Sequence, residues 1–179
     1  MNKYHRFLLL LIFLYSCAIA EHPSSRSSVI GQDDQYIKYI DGTVLDQNTG
    51  LMWGAEDEGV LNFQGARKYC SDLRLAGYND WRLPTMKELQ SLYIQEKGSL
   101  SKGFITQLIS VNGWIWSSDY RKEDYCLKVA TFNFSYGFPQ WICEGPTIRY
   151  GRVLPVRKIA KHNLSLPLGK KSRNRNTEF

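Results

Sequence analysis

Carboxylates standing close together are the first residues in this chain with types and spacing suited to chemistry. They are Asp57 with Glu58, and Asp119 with Glu123 and Asp124. Two carboxyl groups held on either side of a bond can divide the work of general acid and general base. Each pair here falls in a polar stretch, where charges of this kind are ordinarily solvated. The expectation is therefore surface charge and not a catalytic dyad.

Histidine offers less. The three histidines are His5, His22 and His162, all outside the segment with a globular pattern. A Ser-His-Asp or Cys-His arrangement and a histidine metal cluster are thus excluded from the predicted domain. No P-loop or GxGxxG phosphate motif occurs, and no cofactor is expected. These absences favour a non-catalytic protein.

The four cysteines, Cys17, Cys70, Cys126 and Cys143, match neither a CxxC nor a Cys/His zinc spacing, so no metal site is expected. Cys126 and Cys143 flank a predicted β-turn and are the disulfide candidates. Cys70 falls in mid-helix as a candidate buried thiol, and a bridge from it to either of the other two stays open.

Cys17 belongs to a different segment. Lys3 and Arg6 precede an apolar run over 7–15, which reads as a secretory signal and is short for a membrane span. Leu14-Tyr15-Ser16-Cys17 resembles a lipobox, whereas Ala18-Ile19-Ala20 fits ordinary cleavage before Glu21. Lipidation of Cys17 is favoured, because a cysteine directly after the apolar run would otherwise be an odd accident. A lipid anchor would place the protein on a bacterial membrane; the alternative is a periplasmic or secreted protein. No second run of membrane length follows.

The formal net charge of +6 looks like a signal for polyanion binding until it is located. Residues 7–157 carry fifteen Lys/Arg against sixteen Asp/Glu, whereas residues 158–179 carry six against one. Lys170, Lys171, Arg173 and Arg175 are the candidate polyanion contacts, although a merely solvated tail is the favoured reading. No nucleic-acid partner is expected.

These groups need elements to hold them. Residues 1–20 read as signal, 21–35 as a polar, Ser-rich tether, 36–157 as the domain, and 158–179 as a basic disordered tail. Strand-like runs over 36–40, 43–45 and 51–53 are separated by Asp41-Gly42 and by the turn-forming stretch 46–50. Asn62 can cap a helix over 63–75, where Phe63, Ala66, Tyr69, Cys70 and Leu73 recur at helical spacing. Another short helix is predicted over 104–109, and strands over 114–118, 125–134, 138–143 and 150–157. Helices set among antiparallel strands predict an α+β fold: two helices packed with a mainly antiparallel sheet.

The stretch 77–89, GYNDWRLPTMKEL, joins the first helix to the next. Asn79 and Asp80 form turns readily, Trp81 offers a large apolar surface, and Pro84 fixes the backbone. Thr85 and Glu88 make a T-x-x-E capping box for a helix with Met86, Leu89, Leu92 and Tyr93 on its apolar face. Arg82 is expected to bond loop carbonyls or a carboxylate, with Glu88 and Asp80 as candidates. Every residue has a local folding role, so the stretch is expected to be a structural lock and not a ligand site.

Several segments in order carry a family resemblance: YIDGTVLDQNTGLMW (39–53), ARKYCSDLRLAGYNDWRLPTMKEL (66–89), WIWSS (114–118) and GRVLPVR (151–157). Together they resemble the Lcl C-terminal domain family of bacterial envelope proteins. The resemblance implies a C-type-lectin-like fold, related in shape to formylglycine-generating enzymes, in exported proteins that are sometimes lipoproteins. The adhesin that names the family uses the domain in binding sulfated glycans, which implies recognition of a glycan or a surface protein. Two departures limit the analogy. The cysteines offer no counterpart to the active-site pair of the formylglycine-generating enzymes, and no EPN or QPD loop with a later WND is present, so calcium-mediated sugar binding is not supported. The functional expectation is a surface-tethered recognition or adhesion domain, with an envelope structural component or a carboxylate-dependent enzyme as alternatives.

Overall fold

Short β-rich runs, broken by glycine and aspartate turns, build two five-stranded sheets in this protein. The computed structural model describes residues 28–94, 103–104, 106–111, 113–148 and 150–159. In chain order the elements are β1 (Val29–Asp33), β2 (Tyr36–Tyr39), β3 (Thr43–Asp46), β4 (Leu51–Gly54), β5 (Glu58–Leu61), α1 (Phe63–Asp72), α2 (Met86–Ser91), β6 (Tyr93–Ile94), β7 (Gly103–Phe104), β8 (Trp114–Lys122), β9 (Leu127–Asn133), β10 (Phe138–Cys143), β11 (Gly151–Val153) and β12 (Val156–Lys158). The first sheet has the order β1-β2-β3-β4-β12 and the second β10-β9-β8-β11-β5, while β6 and β7 pair separately. All pairings are antiparallel except β11 with β8. The fold is α+β, with two helices among the described residues.

The meander over β2 to β4 is fixed by its turns. Asp41 Oδ1 accepts from Thr43 N at 3.0 Å, and Gly42 adopts φ 83°, a conformation that costs glycine little. Asp46, only 3% exposed, accepts from the backbone N–H groups of Asn48 and Thr49 and from the Thr49 hydroxyl. A buried carboxylate is tolerated because its oxygens are satisfied.

The second sheet is covered on both faces. Ile115 and Phe132 face a core with Tyr36, Val44, Trp53, Leu89 and Val156. Trp116, Val129 and Val153 face the other way, against Phe63, Ala66 and Cys70 of α1. Neighbours on one strand thus serve opposite cores, the consequence of a period of two.

Several boundaries differ from expectation. Among the described residues the first strand starts seven residues before Tyr36, inside the expected tether, because β1 pairs with β2 from Val29↔Tyr39 to Asp33↔Tyr36; its polar composition hid a strand that one neighbour satisfies. Helix α1 ends at Asp72, not at residue 75. Leu75 instead bridges Tyr78 across Ala76 and Gly77, both at positive φ (55° and 77°), as in a type I′ turn. The described residues of the predicted helix over 104–109 are not helical: Phe104 lies in β7, and Thr106 Oγ1 accepts from Leu108 N in a turn. The predicted strand over 150–157 divides at Leu154-Pro155, placing β11 in one sheet and β12 in the other. Lys158, assigned to the tail, belongs to β12, and Ile159 N donates to Gly50 O at 2.8 Å. Strand β5 had not been expected.

Cys126 and Cys143 are joined in a disulfide that closes the β9–β10 hairpin across a sequence separation of 17. A closed loop of this size contributes about 2–4 kcal/mol. Cys70 is a buried free thiol whose pKa burial pushes up to about 12, which makes it a poor nucleophile.

Candidate functional site

The junction between the helices is built from backbone and charge together. Trp81 is 4% exposed and donates its indole N–H to Leu75 O at 3.3 Å, a carbonyl that also accepts from Tyr78 N. Arg82 bonds Glu88 through both terminal nitrogens, at 2.8 and 2.7 Å, and donates to Leu83 O. Glu88 also accepts from Thr85 N, and Thr85 Oγ1 from Glu88 N, completing the capping box. Pro84 O accepts from Ser118 N at 2.7 Å, and Asp119 accepts from Met86 N at 2.8 Å. The stretch is therefore tied to β8 as well as to α2.

Asp80 takes a different partner. Arg157 of β12 donates to its two oxygens at 2.6 and 3.1 Å while lying 3.7 Å from the centroid of the Tyr78 ring. Arg82 and Val156 exchange both backbone hydrogen bonds at 2.9 Å. Bidentate pairing fixes direction as well as distance, so this arrangement acts as a clamp between loop, helix and sheet edge.

Four of the five carboxylates first singled out are engaged by protein partners. Asp57 pairs with Arg152. Glu58 accepts from the Tyr69 hydroxyl, whose pKa is pushed up to about 12 by burial and by Glu58. Asp119 serves the start of α2, whereas Glu123 pairs with Lys128 and Arg121, the Lys128 bond first holding its pKa below the usual value. Among the described residues no group of three His, Cys, Asp or Glu is placed to hold a metal ion. Cys17, Lys170, Lys171, Arg173 and Arg175 lie outside the described residues.

Pairing in the second sheet assembles a feature not foreseen in the sequence. Trp114 and Phe138 both face Asn133 in register, from opposite sides of β9. Their rings meet edge to face, with centroids 5.3 Å apart. Tyr150 lies 5.2 Å from Trp114 on one side, and Tyr136 stacks 6.2 Å from Phe138 on the other. Tyr136, Phe138 and Tyr150 are 63%, 46% and 37% exposed. The Tyr150 hydroxyl donates to Gln140 Oε1 at 2.9 Å. Four rings and a carboxamide thus form one surface from residues spread over 114–150. The parity of Phe138 and Gln140 within a strand was legible; the meeting of Phe138 with Trp114 was not, since it depends on register across β9.

A family model for the Lcl C-terminal domain matches residues 42–157, well over half of the chain. The chain belongs to the Lcl C-terminal domain family. No curated protein and no solved structure matches it. The matched segment holds both the clamp and the aromatic surface, whereas β1 and β2 precede it. In this Lcl C-terminal domain, the clamp accounts for the signature stretch by folding.

Proposed function

We propose that this protein is an exported recognition or adhesion domain, tethered at the bacterial envelope through Cys17, and that it binds its ligand without transforming it. The observation that carries this reading is the contiguous exposed aromatic surface of Trp114, Tyr136, Phe138 and Tyr150. Exposed aromatic clusters of this kind are characteristic of binding surfaces. Family membership supports an envelope setting, and the Cys126–Cys143 disulfide is compatible with export. The C-type-lectin-like fold implied by the resemblance agrees with a recognition role, and the two sheets with flanking helices are the architecture on which it would rest.

The test uses the full chain as bait against envelope and host-surface glycans and proteins, beside a Tyr136→Ser/Phe138→Ser variant. Capture by the native chain and loss in a variant that still unfolds cooperatively supports the reading. Turnover of a substrate dependent on Asp57, Asp119 or Glu123 would replace it with an enzyme. Mass spectrometry of the mature N-terminus is expected to find acylated Cys17; a free Glu21 would make the protein soluble after export.

A further inference from the structure

Resting on that reading, we infer that the aromatic surface is a platform for a neutral oligosaccharide, distinct from any polyanion contact made by the basic tail. Its composition argues for this ligand class. None of the five side chains that build it, Trp114, Tyr136, Phe138, Gln140 and Tyr150, carries a formal charge at neutral pH. An anionic glycan would find no cation among these five groups, and burying its charge there would cost free energy.

A purely apolar partner fits no better. Gln140 accepts the Tyr150 proton through Oε1, which leaves the two Nε2 donors without a protein partner among the described residues. Covering that carboxamide with hydrocarbon would strand its donors. A pyranose answers both demands, since its C–H faces suit ring faces and its hydroxyls accept from an amide and exchange hydrogen bonds with phenols. Geometry adds a direction. Successive centroids from Tyr136 through Phe138 and Trp114 to Tyr150 are 6.2, 5.3 and 5.2 Å apart, the distances of rings in contact, so the four form one unbroken row. Tyr136 and Phe138 are nearly parallel at 29° while Phe138 and Trp114 cross at 81°, so the surface presents two walls meeting at a corner. A short chain of sugars can lay a face on one wall and an edge against the other.

The surface is also supported firmly enough to be pre-formed. Asn133, 3% exposed, accepts from Ser135 N and Tyr136 N at 2.8 and 3.1 Å, fixing the turn that carries Tyr136. Rigid aromatic contacts lose little conformational freedom on binding.

The experiment titrates the full-length protein with neutral oligosaccharides and, separately, with heparin, at low and at high salt. Neutral-sugar binding is expected to be insensitive to salt and to weaken roughly tenfold or more in Tyr136→Ser/Phe138→Ser. The variant should still unfold in one cooperative transition, its midpoint lowered only by the lost ring contacts of Phe138 with Trp114 and Tyr136. Tyr150→Phe, which removes one hydroxyl, should weaken binding by a smaller factor. Absence of neutral-sugar binding overturns the inference. If a surface protein is captured through the same residues, or self-association is lost in the double variant, the platform is a protein interface; the recognition reading survives and the sugar assignment falls. If no ligand of any class binds, both fall.

Discussion

Glu88 shows how one side chain of the signature stretch can be worth more to folding than to chemistry. Its side chain is 18% exposed and takes two bonds from Arg82 and one from Thr85 N. Burial alone would raise its pKa, but the bonds from Arg82 and Thr85 outweigh burial and hold it below the ordinary value of 4.5. A carboxyl depressed in the folded state stabilises fully above its unfolded pKa, and that contribution is lost as pH falls through the folded value. Urea unfolding followed from neutral pH into acid should therefore show a steeper loss of stability below about pH 4.5 in the native protein than in Glu88→Gln. Arg82→Ala should cost about 1–3 kcal/mol at neutral pH, because it leaves a half-buried carboxylate short of donors. Arg82→Lys should recover only part of this, since an ammonium cannot supply the paired N–H groups. An Arg82→Ala protein of native stability that had lost its ligand would instead make the stretch a binding site.

Elements were legible where local chemistry alone decides them. Asn62 accepting from Gly65 N and the Thr85–Glu88 capping box start both helices where the sequence signals put them. Asp41-Gly42 likewise ends β2 and starts β3. What the sequence hid depends on pairing between segments: β1 needs β2 to satisfy a polar strand, and after the helix Leu75 bridges Tyr78 across the tight turn of Ala76 and Gly77. The aromatic surface was hidden for the same reason, since Trp114 and Phe138 meet only through the register of β9. Close approach between elements was also invisible. Gly151 of β11 lies so near Trp116 that an added Cβ would stand 2.8 Å from indole atoms. Trp116 is 1% exposed and held by Leu61 O at 2.9 Å, so it cannot swing aside. Gly151→Ala should lose about 1–3 kcal/mol by overpacking. Gly59→Ala in β5, where a Cβ would meet nothing within 4 Å, should be neutral or slightly stabilising. Equal midpoints for the two variants in chemical denaturation would show that the β11–β8 approach is not tight.

At the scale of the molecule, charge and aromatic surface are segregated along the chain, so the two proposed modes of binding, which a single pull-down would confuse, can be tested apart. Residues 160–179 hold Lys161, Lys170, Lys171, Arg173 and Arg175 against Glu178, whereas 7–157 have one more acid than bases. Retention on heparin is thus expected to come from the C-terminal segment and to fall steeply with salt, as it does when mobile counterions compete for exposed cations. The place to cut is set by the fold. Truncation before Lys158 would remove its pairing with Leu51 and the bond from Ile159 N to Gly50 O, and would confound lost binding with a loosened edge strand. Deleting 160–179 preserves both. The shortened protein should keep its thermal midpoint, lose most heparin retention at low salt, and still bind neutral oligosaccharides as tightly as the full chain. If heparin retention instead persists, the cations lie in the folded body. Arg121 and Lys128 would then be the first to replace, because both already converge on Glu123 beside Trp141, and an anion could compete with that carboxylate for them.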